Sequence, residues 1–365
     1  MQLSETVKLY MTKEQEILVK TTMVEYINTV NQLVSIAMSG TPINKYTTAD
    51  VDANLPSAIS NQCIRDAKSI VKKHNKLIRQ TKVENKPTVP VLKKPCFYIN
   101  NQNFKLNGNI IEVPIWVDGK SKRIKIRTAM TDRQKEIFSK SKLGTMRIVY
   151  KGNRIVAQVI YRAVEEEHSS AGIVMGIDLG IKCPAVSYNT DGSVKFYGNG
   201  RKNKYIRRRY QSLRKKLQKK KQIKALKHMG NKEQRIMNDI DHKISHEIIK
   251  TAIAHNVKLI KLERLSNIRS TTRTSRKNNR NLHNWSFHRL TQYIEYKAKL
   301  AGIKVEYVNP AYTSQKCPVC GHIYHANDRK YTCTCGYHTH RDLLGAINIC
   351  NSTEYVGDRN VRHTA

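Results

Sequence analysis

Acidic residues and long apolar runs are what this chain has least of. Only 28 of its 365 residues are Asp or Glu, against 66 Lys and Arg, which gives a formal net charge of +38. Repulsion on that scale opposes compaction unless a polyanion neutralises it. Nucleic acid is the natural counterion, bound in a salt-sensitive way as its condensed cations are released. No run of about 18 apolar residues exists, which excludes a membrane-spanning helix. The first ten residues carry no apolar core of a secretory signal, so a cytoplasmic, nucleoid-associated protein is expected. Cysteine is sparse outside one cluster. Cys63, Cys96, Cys183 and Cys350 are scattered, and the other four of the eight lie between residues 317 and 335. That distribution argues for a reducing compartment and one metal site rather than a disulfide framework. Hydrophobic residues still make up 39% of the chain, enough for real cores in two or three domains. Charge alone leaves open a protein that only binds nucleic acid.

Residues 5–11 read as a short strand. Thr12 then suits a helix N-cap, with Gln15 completing a capping box. Met23, Ile27, Val30 and Val34 recur at helical spacing until Gly40, and a second helix follows Pro56 with Ile59, Cys63, Ala67 and Ile70 on one face. Short alternating runs come next, at 104–106, 110–117, 123–127, 147–150 and 155–161. Asn107-Gly108, Asp118-Gly119 and Gly152-Asn153 supply turn signals between them. This predicts an antiparallel sheet or small barrel ending near 170, joined by the strand at 5–11, with the helical unit inserted. From Ile173 the texture changes to a continuous apolar strand and then a hairpin about Asp191-Gly192. Residues 201–235 hold sixteen Lys and Arg and one acid, Glu233. They are expected to form one long basic helix, and a further helix to about Ala254 leads to a strand at 257–262. Tyr205, Tyr210, Trp285 and Phe287 offer flat faces on which unpaired bases can stack, although such residues more often pack inside.

Cys317-Pro318-Val319-Cys320-Gly321 has knuckle spacing, and Cys333-Thr334-Cys335-Gly336 follows after twelve intervening residues. Four thiolates on two turns suit a closed tetrahedral structural Zn2+ site. A glycine after each pair allows the backbone to turn toward the sulfurs. The second pair has one residue between its cysteines, which leaves room for His338 or His340 to replace a thiolate.

Hydrolysis of a phosphodiester with two metal ions needs carboxylates converging from distant parts of a chain. Asp178 ends the apolar strand 173–177. Glu263 ends the strand 257–262. Asp342 opens a helix expected at 343–349. A carboxylate at the end of a buried strand is costly to desolvate without a cation. Taken singly, each has an ordinary reading, as a helix N-cap or a solvated strand-end acid. In this order, with a cysteine cluster before the third, they point jointly to metal-dependent nuclease chemistry.

Gly176-Ile177-Asp178-Leu179-Gly180, Leu262-Glu263-Arg264-Leu265, Thr313-Ser314-Gln315-Lys316-Cys317-Pro318-Val319-Cys320-Gly321 and Arg341-Asp342-Leu343-Leu344-Gly345-Ala346-Ile347-Asn348-Ile349 resemble the TnpB proteins of bacterial insertion sequences. Those proteins are similar to compact type V CRISPR effectors. The motifs span about 173–350, and the N-terminal half resembles the family in layout only. The resemblance implies an α+β multidomain chain. Its wedge domain, a β-barrel-like element at 1–12 and 84–172, is interrupted by a helical recognition domain at 13–83. An RNase H-like (RuvC) α/β nuclease domain follows at 173–311 and 341–365, with a zinc ribbon inserted at 312–340. It implies Asp178, Glu263 and Asp342 as catalytic acids holding two Mg2+ ions, and Cys317, Cys320, Cys333 and Cys335 as zinc ligands. The implied partners are a transposon-end-derived guide RNA and double-stranded target DNA, with no membrane. The alternatives are a compact CRISPR effector, a DNA-joining transposase, and an RNA-guided repressor whose nuclease is inactive.

Overall fold

A computed structural model describes residues 1–81, 87–152, 154–165, 172–265, 286–326 and 328–356. The chain divides into two units, Met1–Val164 and Glu165–Ala365.

The first unit opens with β1 (Gln2–Tyr10) and two helices, α1 (Lys13–Met38) and α2 (Ser57–Gln80). Then come β2 (Cys96–Ile99), β3 (Lys105–Asn107), β4 (Ile110–Val117), β5 (Lys120–Ala129), α3 (Asp132–Lys140), β6 (Lys142–Lys151) and β7 (Arg154–Arg162). Seven strands form one antiparallel sheet in the order β2-β6-β7-β1-β5-β4-β3. β1 therefore lies between β7 and β5, and the helices are inserted between the first strand and the rest. The sheet is open: among the described residues β2 and β3 are its edges. The capping box at Thr12 forms as the sequence predicts, with the Gln15 amide donating to Thr12 Oγ1 at 3.2 Å. A second box, Thr131 with Gln134, starts α3 between two strands. Asp118 and Gly119 both take positive φ, 51° and 73°, as a two-residue hairpin turn between β4 and β5 requires. Tyr26, Met23 and Ile59 from the helices share one core with Phe97, Ile111, Ile126 and Ile148 from the sheet. The helical insertion thus has no core separate from the strands.

The second unit contains β8 (Ile173–Asp178), β9 (Ala185–Asn189), β10 (Val194–Tyr197), α4 (Gly200–Lys219), α5 (Ile223–Met229), α6 (Lys232–Ala254) and β11 (Val257–Glu263). It continues with α7 (Phe287–Leu300), β12 (Lys304–Val308), β13 (Lys330–Thr332), β14 (His338–His340) and α8 (Arg341–Asn351). The main sheet runs β10-β9-β8-β11-β12. β8, β11 and β12 are parallel, and β9 and β10 are antiparallel additions. Alternation along the strands gives the sheet two faces. Met175, Ile177, Ile260 and Leu262 point to one, where Ile248 of α6 and Ile294 of α7 close a core. Gly176, Asp178, Lys261 and Glu263 occupy alternate positions and belong to the other, which α8 covers.

The single basic helix expected over 201–235 is instead three helices. Lys221 at φ 50° ends α4, and Gly230 at φ 44° ends α5. With lysines repelling one another and little apolar stripe to bury, nothing holds that stretch straight. Of the aromatic residues considered for stacking, Tyr205 is exposed, Tyr210 half-buried and Phe287 part of the core. Trp285 lies outside the described residues. Among the described residues, no helix is long and apolar enough to cross a membrane.

α8 lies at backbone distance from β8. A methyl group on Gly176 would run into the Ala346 carbonyl and the Cys350 backbone. Gly176→Ala is therefore expected to destabilise the chain by about 3 kcal/mol through overpacking, read as a lower urea midpoint. An unchanged midpoint would show that the helix does not sit this close.

Candidate active site and metal centre

Asp178 and Glu263 are the last residues of β8 and β11. The register pairs Ile177 with Leu262, so the two acids follow side by side on neighbouring parallel strands and on one face. The third acid comes from α8. His340 caps that helix, its ring nitrogen accepting from the Asp342 amide at 3.2 Å. Asp342 is therefore inside the first turn rather than the N-cap, where the helix dipole favours an anion. α8 closes over Asp178 at Gly345. The Asp178 carboxyl lies 3.1 Å from where a Gly345 side chain would begin. A glycine inside a helix costs about 1 kcal/mol relative to alanine, and here it makes room for that carboxyl.

Asp178 feels the other two acids. Burial, and then the neighbouring Glu263 and Asp342 carboxylates, hold the Asp178 carboxyl well above the usual carboxylate range. Burial also raises that of Glu263, against a hydrogen bond from Thr313 that lowers it. Asp342 is only 7% exposed. Two of the acids already have partners: Arg329 is ion-paired with Asp342, and the Thr313 hydroxyl donates to Glu263. Neither partner was foreseen from the sequence. Thr313 stands in the run before the cysteines, but Arg329 belongs to no motif, and its role arises only from folding. The carboxylates do not close to the spacing seen among the cysteines. Hard oxygen donors, with ionisation suppressed at Asp178 and Glu263, nonetheless fit a divalent cation such as Mg2+, which would replace the charge Arg329 now supplies.

The four cysteines form the tighter group. Among the described residues, theirs are the donor atoms of three or more such ligands that all lie within 4.8 Å of one another. Cys317 and Cys335 sulfurs are 3.7 Å apart, and those of Cys320 and Cys333 are 3.4 Å apart. Sulfurs about 3.8 Å apart are what a tetrahedral zinc with 2.3 Å bonds requires. Each knuckle is built by the same device. The Gly321 amide donates to the Cys317 carbonyl at 3.0 Å, and the Gly336 amide to the Cys333 carbonyl at 3.0 Å, with φ of 75° and 89° at the glycines. The backbone amide of Cys335 holds the Cys333 thiol down at about 6, which favours the thiolate a metal binds. The short second pair thus places both its sulfurs in the group. His338 bonds the Gly336 carbonyl, and His340 packs edge-on against Phe196 while capping α8. Of the four scattered cysteines, Cys63, Cys96 and Cys350 are buried and Cys183 is half-buried.

Two family models match the chain. One is described as the Cas12f1-like TNB domain, over residues 287–349, and the other as a probable transposase, over 149–269. The TnpB-like protein MJ0751 of Methanocaldococcus jannaschii is 32% identical over 275 residues, covering 70% of this chain and 94% of that relative. The chain belongs to the TnpB family. CRISPR-associated endodeoxyribonuclease Cas12f1 of Syntrophomonas palmitatica is 26% identical over 353 residues, covering 83% of this TnpB-family chain and 67% of its own length. The cryo-EM structure of a Cas12f1–sgRNA–target DNA complex superposes with a TM-score of 0.65 at 17% identity, covering 92% of this chain and 83% of that one. The mini-RNA-guided endonuclease CRISPR-Cas_phi3 gives 0.55 at 11% identity, with 96% and 92% covered. Identities this low speak for a shared α+β fold alone. Within the TnpB-family chain, Asp178 and Glu263 fall inside the transposase match, and the cysteines and Asp342 inside the other.

The acids set a pH dependence with a definite sign. The raised pKa values of Asp178 and Glu263 favour the folded state below the ordinary carboxylate range, and that contribution is lost as pH rises through the raised values. Without added Mg2+, Asp178→Asn should flatten this loss and gain about 1 kcal/mol near neutrality. Thermal melts of both chains from about pH 5 to about pH 8 will show it; parallel curves would contradict the assigned cause. The cysteine group is expected to carry about one zinc per chain by metal analysis, reduced in Cys320→Ser together with the melting temperature.

Proposed function

We propose that this protein is an RNA-guided DNA endonuclease that hydrolyses phosphodiester bonds at an RNase H-like, RuvC-type site made by Asp178, Glu263 and Asp342. One observation carries the reading: acids from β8, β11 and α8 share one corner of a mixed sheet, where burial suppresses ionisation of Asp178 and Glu263 and the neighbouring carboxylates add to it at Asp178. Such a site is poorly stable empty and well suited to divalent cations. The sheet order β10-β9-β8-β11-β12 supports the RNase H-like assignment. The endodeoxyribonuclease relative supports the substrate, and the guide and target in the similar solved complex support the partners.

In this reading residues 1–12 and 84–172 are the wedge, 13–83 the recognition insertion, 173–311 and 341–365 the nuclease, and 312–340 the zinc ribbon. The division of the chain after Val164 supports a boundary near the start of β8. Cys317, Cys320, Cys333 and Cys335 hold a structural Zn2+. Asp178, Glu263 and Asp342 hold two Mg2+. When bound, these ions polarise the attacking water and neutralise charge on the departing 3′ oxygen. The Thr313 hydroxyl holds one carboxylate oxygen of Glu263 and so restrains its rotamer. Arg329, ion-paired with Asp342, would be freed by a bound cation and could then meet the phosphodiester. The basic run along α4 and α5, exposed for most of its length, faces the nucleic-acid backbone through charge rather than sequence. Base pairing with the guide supplies target choice.

Asp178→Ala is expected to retain guide RNA and to lose cleavage by at least a factor of about 1000, since removing a ligand of a hydrolytic metal site removes most transition-state charge stabilisation. A variant that cuts target DNA at the wild-type rate would defeat the assignment. The match to a probable transposase favours a second reading, in which the same acids join DNA ends. Strand transfer from donor ends in the absence of RNA would establish it.

A further inference from the structure

Lysine is rarely buried without a carboxylate partner, yet Lys261 is 6% exposed in the middle of β11. No carboxylate pairs with it among the described residues. Its amine donates to the Cys350 carbonyl at 2.9 Å and the Ser352 carbonyl at 2.8 Å, and lies 5.4 Å from the centre of the Tyr355 ring. These carbonyls belong to the C-terminal end of α8. A helix leaves its last carbonyls unsatisfied there and presents its negative pole. The chain beyond is fixed to the sheet as well. The Val356 amide donates to the Tyr307 carbonyl at 2.8 Å, and Val308 and Tyr355 form a β-bridge.

We infer that Lys261 is a positioning residue for the metal-holding acids, an inference that rests on the nuclease reading above. Lys261 and Glu263 stand two residues apart on one face of β11. The strand that ends in one acid therefore also grips the far end of the helix that carries another. Gly176, paired with Lys261 across the sheet, lets α8 settle at backbone distance beneath that grip. α8 has eleven residues, a rod about 16 Å long. Loosening one end tilts the other, where Asp342 must meet Asp178 and Glu263. Lys261 donates to the end of α8 and to none of the three acids among the described residues, so it acts through the helix. The sequence hides it, because in the run Val257–Leu262 it reads as a solvated residue on a strand.

The test compares Lys261→Met, Lys261→Arg and the wild type, each loaded with guide RNA. Mn2+ affinity is measured by calorimetry, and cleavage by titration with Mg2+. Lys261→Met should bind guide and target as the wild type does but lose about tenfold in Mn2+ affinity, the usual scale for a residue that orients metal ligands. Its Mg2+ requirement for cleavage should rise in parallel. Lys261→Arg, able to donate to both carbonyls, should recover most of the affinity. If the Met variant does not fold, Lys261→Gln replaces it, and an intermediate affinity is expected. Unchanged Mn2+ affinity in the Met or Gln variant overturns the inference, and so does loss of guide binding in step with metal binding. A wild type that binds Mn2+ but never cuts would instead count against the nuclease reading, and the calorimetric comparison would still decide the role of Lys261.

Discussion

The second unit depends on how closely one helix approaches one sheet. α8 lies across the face of β8 with its backbone against Gly176 and with Gly345 over Asp178. Side chains at either position would lift the helix and carry Asp342 away from the strand ends. Two glycines in elements that disfavour them are a local cost, each about 1 kcal/mol or less. They are tolerated because the contact gathers acids that no single element could bring together. The knuckle glycines, Gly321 and Gly336, serve the neighbouring segment differently: they turn the backbone where a side chain would force strain.

Scarce negative charge is placed with care. Of the acids available, Asp178, Glu263 and Asp342 lie in one corner, where the other two disfavour ionisation of Asp178. Others sit where they offset the surplus of cations. Asp241, 2% exposed on α6, receives Arg289 of α7 at 2.5–2.8 Å. Glu233, the lone acid of the basic run, pairs with Arg214 at 2.6 Å and with Arg207 at 3.9 Å. One carboxylate thus ties α4 to α6. With 66 Lys and Arg against 28 Asp and Glu, more than half of the positive charge has no acid to offset it, and self-repulsion there favours any state with a polyanion bound.

Much of the architecture was legible because its causes are local. The Thr12–Gln15 box, the Asp118-Gly119 turn and the apolar runs ending in Asp178 and Glu263 each declare themselves within ten residues. The places of the acids on their elements were legible for a related reason, since strand ends and helix starts are short-range features. Other elements escaped. The Thr131–Gln134 box is the same signal as the first, obscured by strands on both sides. α7 and β12 carry basic residues through their apolar patterns. The break at Lys221 follows from repulsion along the helix and has no proline to mark it. The partners of the acids, Arg329 and Thr313, depend on contacts between segments that sequence spacing does not encode, and Lys261 was masked by its own charge.

The order of elements along the chain has a temporal consequence. Asp178 is made roughly 160 residues before Asp342, and α8 cannot dock until β12 and the cysteine hairpin have left the ribosome. At typical synthesis rates that delay is on the order of ten seconds. During it the early strands can fold and basic segments can meet a polyanion, while the acid cluster still lacks Asp342. Under the proposed nuclease reading, a nascent chain cannot cut the DNA around it before α8 has emerged.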